Sequence, residues 1–312
     1  MFLCLDDLSQ GMFRMLILIT GASSQPGFKL LLEALEKDYE IIATYRTNEI
    51  PTEHENLRKV RIDLTDFEAT RKLIENSKPE VIFHIAAYGD VDGCEQNRDY
   101  AWRINYLATQ NIAKTARKIG SFIIYLSTDY VFDGERGNYR EDDPAYPVNF
   151  YGLTKLLGEV ATLSATENSA VVRASAIYGL GPGRKNFAKF LIEKLSRNEE
   201  IGAFTDQYLS PSNSNLLAKA LLEIAERRLI GIFHVVGERM SRYEFALRVA
   251  EKLGFNRSLI KEASMSKFHW KARRPRDSSL NYDKTKSILK TEFYSTELAL
   301  EILKREYLEL HG

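Results

Sequence analysis

Apolar residues in this chain fall into two kinds of segment. Short continuous runs occur at residues 15–20, 41–45, 81–86, 122–126 and 170–173. Such runs read as strands of a parallel sheet buried on both faces, where no polar face is needed. Between them lie stretches with apolar residues every three or four positions, the spacing of one helix face. These predict helices near 28–37, after Thr65-Asp66, across 98–118 and around Tyr151, with a short strand at 60–62 ending in Asp63-Leu64. Pro26 suits a helical first turn, where a missing N–H costs nothing.

The resulting order, βαβαβ, with right-handed crossovers, gives a doubly wound parallel sheet of the Rossmann kind. Beyond Tyr178 the rhythm loosens. Helices are expected at 186–197, 215–228 and from Ser241 to Leu253, with strands near Ile201 and at 231–236 and a loop at 271–277. The expected organisation is an N-terminal extension at 1–14, which is an added segment or an upstream start ahead of Met15. A dinucleotide-binding domain follows at 15–180, completed by segments near 201–237. A smaller substrate lobe, interwoven with it, covers 181–312. No role is assigned to the extension.

Composition narrows the class. Among 312 residues, 44% are hydrophobic and 28% charged, and 43 basic residues balance 43 acidic ones. Nothing there suggests nucleic-acid or membrane-surface binding. No run approaches the length of a membrane helix, and no signal peptide is recognisable, so a cytoplasmic setting is expected. Cys4 and Cys94 cannot frame a disulfide network, the five histidines are scattered singly, and no metal site is expected.

The first strand ends in Gly21-Ala-Ser-Ser-Gln-Pro-Gly27. A strand, a glycine-bearing turn and a helix start make a phosphate site from free N–H groups and the helix dipole. Gly21, Ser23, Ser24, Gln25 and Gly27 are the expected contacts. Ser24 stands where the middle glycine of the usual pattern lies, and it either donates its hydroxyl to a phosphate or weakens binding. The second strand ends without an acid but with Arg46, which matches a 2′-phosphate and favours NADP(H), with NAD(H) left open. Asp63 and Leu64 are placed to flank the adenine. Ala86 and Ala87 are small enough for a dinucleotide to cross.

Tyr151-Gly-Leu-Thr-Lys155 puts a phenol and an ammonium one turn apart on a helix face. There the cation is expected to lower the phenol's pKa, and Thr128, ending an apolar run, to hold the same substrate oxygen. Together they read as an acid–base site for a carbonyl–alcohol pair.

These residues resemble the extended short-chain dehydrogenase/reductases. Within them, Ser127-Thr-Asp-Tyr-Val-Phe-Asp-Gly134, Val91-Asp92 with Glu95, Asp206-Gln207 before Pro211, and Arg274-Pro275 resemble the dTDP-4-dehydrorhamnose reductase family. The resemblance runs from Met15 nearly to the C-terminus. It implies hydride delivery from NADPH to C4 of a 4-keto-6-deoxy sugar carried on dTDP, with Tyr151 as proton donor. Lys155 would bind the nicotinamide ribose, Thr128 would position the ketone, and Asn105 would be structural. Val91, Asp129, Asn186 and Arg274 are the implied substrate contacts, Arg274 meeting the diphosphate. A homodimer through the long helices is also implied. Ser212 and Arg242 depart from the usual threonine and aromatic residue. Two alternatives stay open: a reductase or epimerase of another nucleotide sugar, and an NADP-binding regulatory subunit like that of methionine adenosyltransferase.

Overall fold

The computed structural model describes residues 14–311, so residues 1–13, nearly all of the expected extension, lie outside the described residues. Strand β1 (Leu16–Thr20) feeds helix α1 (Gln25–Glu36), and β2 (Glu40–Tyr45), β3 (Leu57–Arg61), α2 (Phe67–Ser77) and β4 (Val81–His84) follow. Asp66 caps α2 by accepting from Ala69 N, so the Thr65-Asp66 start signal acts as expected. Next come the short α3 (Val91–Gln96) and α4 (Arg98–Ala101), then a π-helical turn (Trp102–Leu107) running into α5 (Ala108–Ile119). The helix expected across 98–118 is therefore interrupted. Its wide turn carries Asn105, whose Oδ1 accepts from Tyr88 N at 2.7 Å and whose Nδ2 donates to Thr154 Oγ1 at 3.1 Å. π-Turns recur where a side chain must be aimed at a particular site.

Strand β5 (Phe122–Thr128), α6 (Phe150–Ala165) and β6 (Ser169–Ala174) continue the alternation. After them lie α7 (Phe187–Ser196), β7 (Ile201–Phe204), β8 (Tyr208–Leu209), α8 (Ser214–Glu226) and β9 (Gly231–His234). The chain ends in β10 (Met240–Ser241), α9 (Arg242–Leu253), β11 (Ile260–Ala263), α10 (Asp283–Ile288) and α11 (Thr296–His311).

The main sheet runs β3-β2-β1-β4-β5-β6-β9, parallel throughout. Order reverses between β1 and β4, and in such sheets the crevice beyond the strands' carboxyl ends is where ligands bind. Of the segments near 201–237, β9 joins this sheet beside β6. Strand β7 does not: it pairs in parallel with β11 in a separate two-stranded sheet, and β8 pairs with β10 in another. Helices α1 and α8 cover one sheet face, while α2 and α5 pack over the other. Fully buried Ile17, Ile19, Phe83 and Ile124 point one way, and Leu18, Ile82 and Ile123 the other, the period-two alternation of a two-faced sheet.

Candidate active site

The turn after β1 is shaped by two close approaches. Gly21 has φ +69°, and a Cβ there would lie 2.7 Å from Ala86 Cα; a Cβ on Gly27 would lie 2.4 Å from the Gly21 carbonyl oxygen. Only glycine allows both. Ser24, at φ −77°, needs no glycine. It caps α1: its hydroxyl donates to Gly21 O at 2.7 Å and accepts from Gly27 N at 3.3 Å. The hydroxyl expected to meet a phosphate is thus committed to the turn.

Gly21, Ser23 and Ser24 line one wall of a crevice whose other walls carry Arg46, Leu64, Ala86 and Ala87. Arg46 is exposed, 5.3 Å from the centre of the Tyr100 ring. Two expected cofactor contacts are turned elsewhere. The Asp63 carboxylate accepts from Thr65 N (2.9 Å) and Thr65 Oγ1 (2.8 Å). Gln25 is buried, donating to Ser214 Oγ and accepting from Asn186. Even so, the glycine cradle, the helix start and the Arg46 cation at the end of β2, a strand that ends without an acid of its own, fit a dinucleotide with a 2′-phosphate.

Further along the same carboxyl edge, Thr128 ends β5 and Tyr151 opens α6. Asn149 caps that helix by accepting from Gly152 N, and Glu95 accepts from Phe150 N at 2.7 Å. Thr128, Asp129, Tyr130 and Tyr151 line one inner cavity. The Thr128 hydroxyl donates to Asp129 Oδ1 at 3.0 Å and faces the same cavity as the Tyr151 phenol. Burial pushes that phenol above its ordinary range, with Thr128 opposing. Lys155 is fully buried. Its Nζ donates to Leu126 O at 2.6 Å and sits 4.1 Å from the Tyr125 ring centre. Burial brings its pKa down to about 7, with Glu159 acting in the other direction. The expected lowering of the phenol by Lys155 is therefore corrected: desolvation dominates Tyr151, and the ammonium is engaged with Leu126 and Tyr125.

The implied substrate residues are brought to the site but used differently. Val91 lines the inner cavity and the wider outer one beside it. The buried Asp129 carboxylate accepts from Ser175 Oγ (2.8 Å) and Ser278 Oγ (2.5 Å), so it holds Thr128 from beneath. Asn186 caps α7 and donates to Gly179 O at 2.9 Å, which commits its amide to structure. Arg274 is locked to Asp92 through two hydrogen bonds, at 3.1 and 2.9 Å. Arg242 and Gln207, absent from the expected contacts, line the inner cavity. Arg242 stood out in the sequence only as a departure from an aromatic residue.

The sequence profile of the RmlD substrate binding domain matches residues 15–307, and the chain belongs to this family. A solved structure described as a hypothetical dTDP-4-dehydrorhamnose reductase from Sulfolobus tokodaii is 40% identical, with a TM-score of 0.82 over 92% of this chain and 99% of that one. The dTDP-4-dehydrorhamnose reductase of Bacillus anthracis str. Ames, solved in complex with NADP, is 28% identical, with a TM-score of 0.83 over 95% of this chain and 99% of that one. Methionine adenosyltransferase 2 subunit beta of Xenopus tropicalis is 34% identical over 253 residues, 75% of this chain and 71% of that protein.

Proposed function

We propose that this protein is an NADPH-dependent reductase that converts the C4 ketone of a dTDP-4-keto-6-deoxy sugar to an alcohol. The observation that carries the reading is the convergence of the Thr128 and Tyr151 hydroxyls on one cavity, with Lys155 buried in the same helix one turn on. The likeness to the reductases of S. tokodaii and B. anthracis supports the sugar and the cofactor.

Bound along the Gly21–Ala86 crevice, NADPH supplies the hydride. To hold the ketone oxygen, the Thr128 hydroxyl would turn its proton from Asp129 to that oxygen. A phenol whose pKa is raised keeps its proton until an alkoxide, a far stronger base, develops beside it, and Tyr151 then donates. Lys155, one turn along α6 with Nζ held at Leu126 O, would bind the nicotinamide ribose and so fix the hydride donor over the ketone. Asn105 braces the Tyr88 backbone and Thr154, keeping α6 in register with the crevice. Catalysis is then largely orientation plus one proton transfer.

The reading also includes a homodimer, supported by Leu153, Val160 and Leu163, which leave an apolar stripe exposed on α6. The cytoplasmic setting rests on composition alone. The test is loss of NADPH absorbance with dTDP-4-keto-6-deoxy-L-mannose generated in situ. Turnover is expected, falling by about 10²–10⁴ in Tyr151→Phe, the range for one general acid. The second reading, an NADP-binding regulatory subunit, follows from the methionine adenosyltransferase relative. It predicts no turnover and a change in the activity of a methionine adenosyltransferase mixed with the chain.

A further inference from the structure

A nucleotide sugar with its hexose at Thr128 and Tyr151 must thread its diphosphate from the inner cavity to the outer one. The residues common to both cavities are Gly89, Val91, Tyr130, Ile177 and Arg242. Arg242 is the one charged side chain among them. We propose that Arg242, in place of Arg274, is the cation that receives the diphosphate.

The other cations lining the outer cavity already have carboxylate partners. Arg274 is held by Asp92, Arg184 lies 3.5 Å from Asp90, and Lys185 pairs with Glu193. Among the described residues no carboxylate lies within ion-pair distance of Arg242. Its Nε donates to the Gln207 side chain, the Phe187 ring centre lies 5.1 Å away, and Tyr130 and the buried Asp129 carboxylate lie nearby, Asp129 beyond ion-pair distance. Its backbone N donates to Gln207 O at 3.1 Å, which fixes the base of the side chain at the start of α9. A half-buried cation with no close ion-pair partner is less well compensated than a paired one, and an anionic ligand offsets that deficit. A guanidinium also presents a fork of donors that matches phosphate oxygens. Gln207 holds Nε and leaves the rest of the fork at the junction, where a diphosphate supplies the close ion pair that the described residues do not make.

This assignment rests on the nucleotide-sugar reading of the site. Calorimetry with dTDP and with thymidine separates the diphosphate from the base, on the wild type, Arg242→Gln and Arg242→Lys. The expected result is a loss of dTDP affinity of about ten- to a hundredfold in Arg242→Gln, in keeping with a lost hydrogen-bonded charge. Partial recovery is expected in Arg242→Lys, with thymidine binding unchanged and NADPH affinity intact as evidence of folding. A change in dTDP affinity within twofold, or equal losses for dTDP and thymidine, overturns the assignment, as does a wild type that binds no dTDP. Arg242-dependent dTDP binding without ketone reduction upholds this assignment and sinks the reductase reading. Turnover in Arg242→Gln with an unchanged KM does the reverse.

Discussion

Glu159→Gln tests two consequences of one buried ion pair. Glu159 follows Lys155 by one helical turn and receives two hydrogen bonds from Arg173, at 2.9 and 2.7 Å, and one from Ser127 at 2.5 Å. Both ionic side chains are almost completely buried, at 4% and 2% exposure. Removing one member of such a pair leaves the other charge uncompensated, at about 3–5 kcal/mol. Arg173 would keep the Glu141 carbonyl at 3.3 Å, His234 Nε2 at 3.4 Å and the face of Phe132 at 5.0 Å. Glutamine also preserves shape and one acceptor, so the loss should fall at the lower end, about 3 kcal/mol.

The second consequence concerns acidity. Glu159 favours the charged form of Lys155, whose pKa burial has brought down from 10.5 to about 7. Neutralising Glu159 therefore moves that pKa further down. Because the folded chain holds its Lys155 proton less tightly than the unfolded one, this group alone makes stability rise with pH between about 7 and 10.5. Activity runs the other way: on the reading that the ammonium holds the nicotinamide ribose, kcat/KM for ketone reduction falls as pH rises through the Lys155 pKa. The alkaline limb should shift to lower pH in Glu159→Gln. Urea unfolding and a pH–rate profile check the two claims separately. A stability loss under about 1 kcal/mol, the worth of a surface pair, or a limb that stays in place would refute the reasoning. Replacing both partners, Glu159→Met with Arg173→Met, should be milder than the single change.

Gly21→Ala forces a side chain into a left-handed backbone and a Cβ within 2.7 Å of Ala86 Cα. It should cost about 2 kcal/mol or more and weaken NADPH binding at least about tenfold by displacing the crevice wall, a loss of about 1.4 kcal/mol. Denaturant titration and calorimetry decide both, and an unchanged NADPH affinity counts against the crevice as the cofactor site. Ser24→Ala should lose about 1 kcal/mol as a missing helix cap while NADPH affinity stays within about threefold, because the hydroxyl already serves Gly21 and Gly27. A much larger loss of affinity would mean that the hydroxyl turns to a phosphate after all.

The central sheet was legible because its strands are continuous apolar runs and its helix starts carry local signals, such as Pro26 and Asp66. Local patterning does not say which strand another will find. That is why the strand near Ile201, grouped with the segments completing the dinucleotide domain, pairs with Ile260 in a separate sheet. The π-turn was invisible because the apolar spacing barely changes across it, and its cause, Asn105 reaching Tyr88, is a tertiary contact. Site residues divide in the same way. Gly21, Gly27, Thr128, Tyr151 and Lys155 carry their chemistry in short spacings. The commitment of Arg274 to Asp92 joins residues far apart in the chain, so a cation in a basic loop looked free. Asn186 followed a glycine turn and opened a helix, the ordinary setting of an N-cap, and that signal favoured the structural role it has.

Strand β9 bears on how the chain is made. It covers the edge of β6, register Ala170↔Gly231 to Arg173↔His234, yet α7, β7, β8 and α8 are all synthesised in between. Until His234 leaves the ribosome, a growing chain can pair six strands but must leave one row of backbone donors and acceptors on β6 unanswered. Such a row is a template for strand addition by a neighbouring chain. The interval between these two strands is therefore the period in which newly made copies are most prone to associate wrongly, and a protein halted there should be retained by chaperones rather than accumulate as a smaller, stable unit.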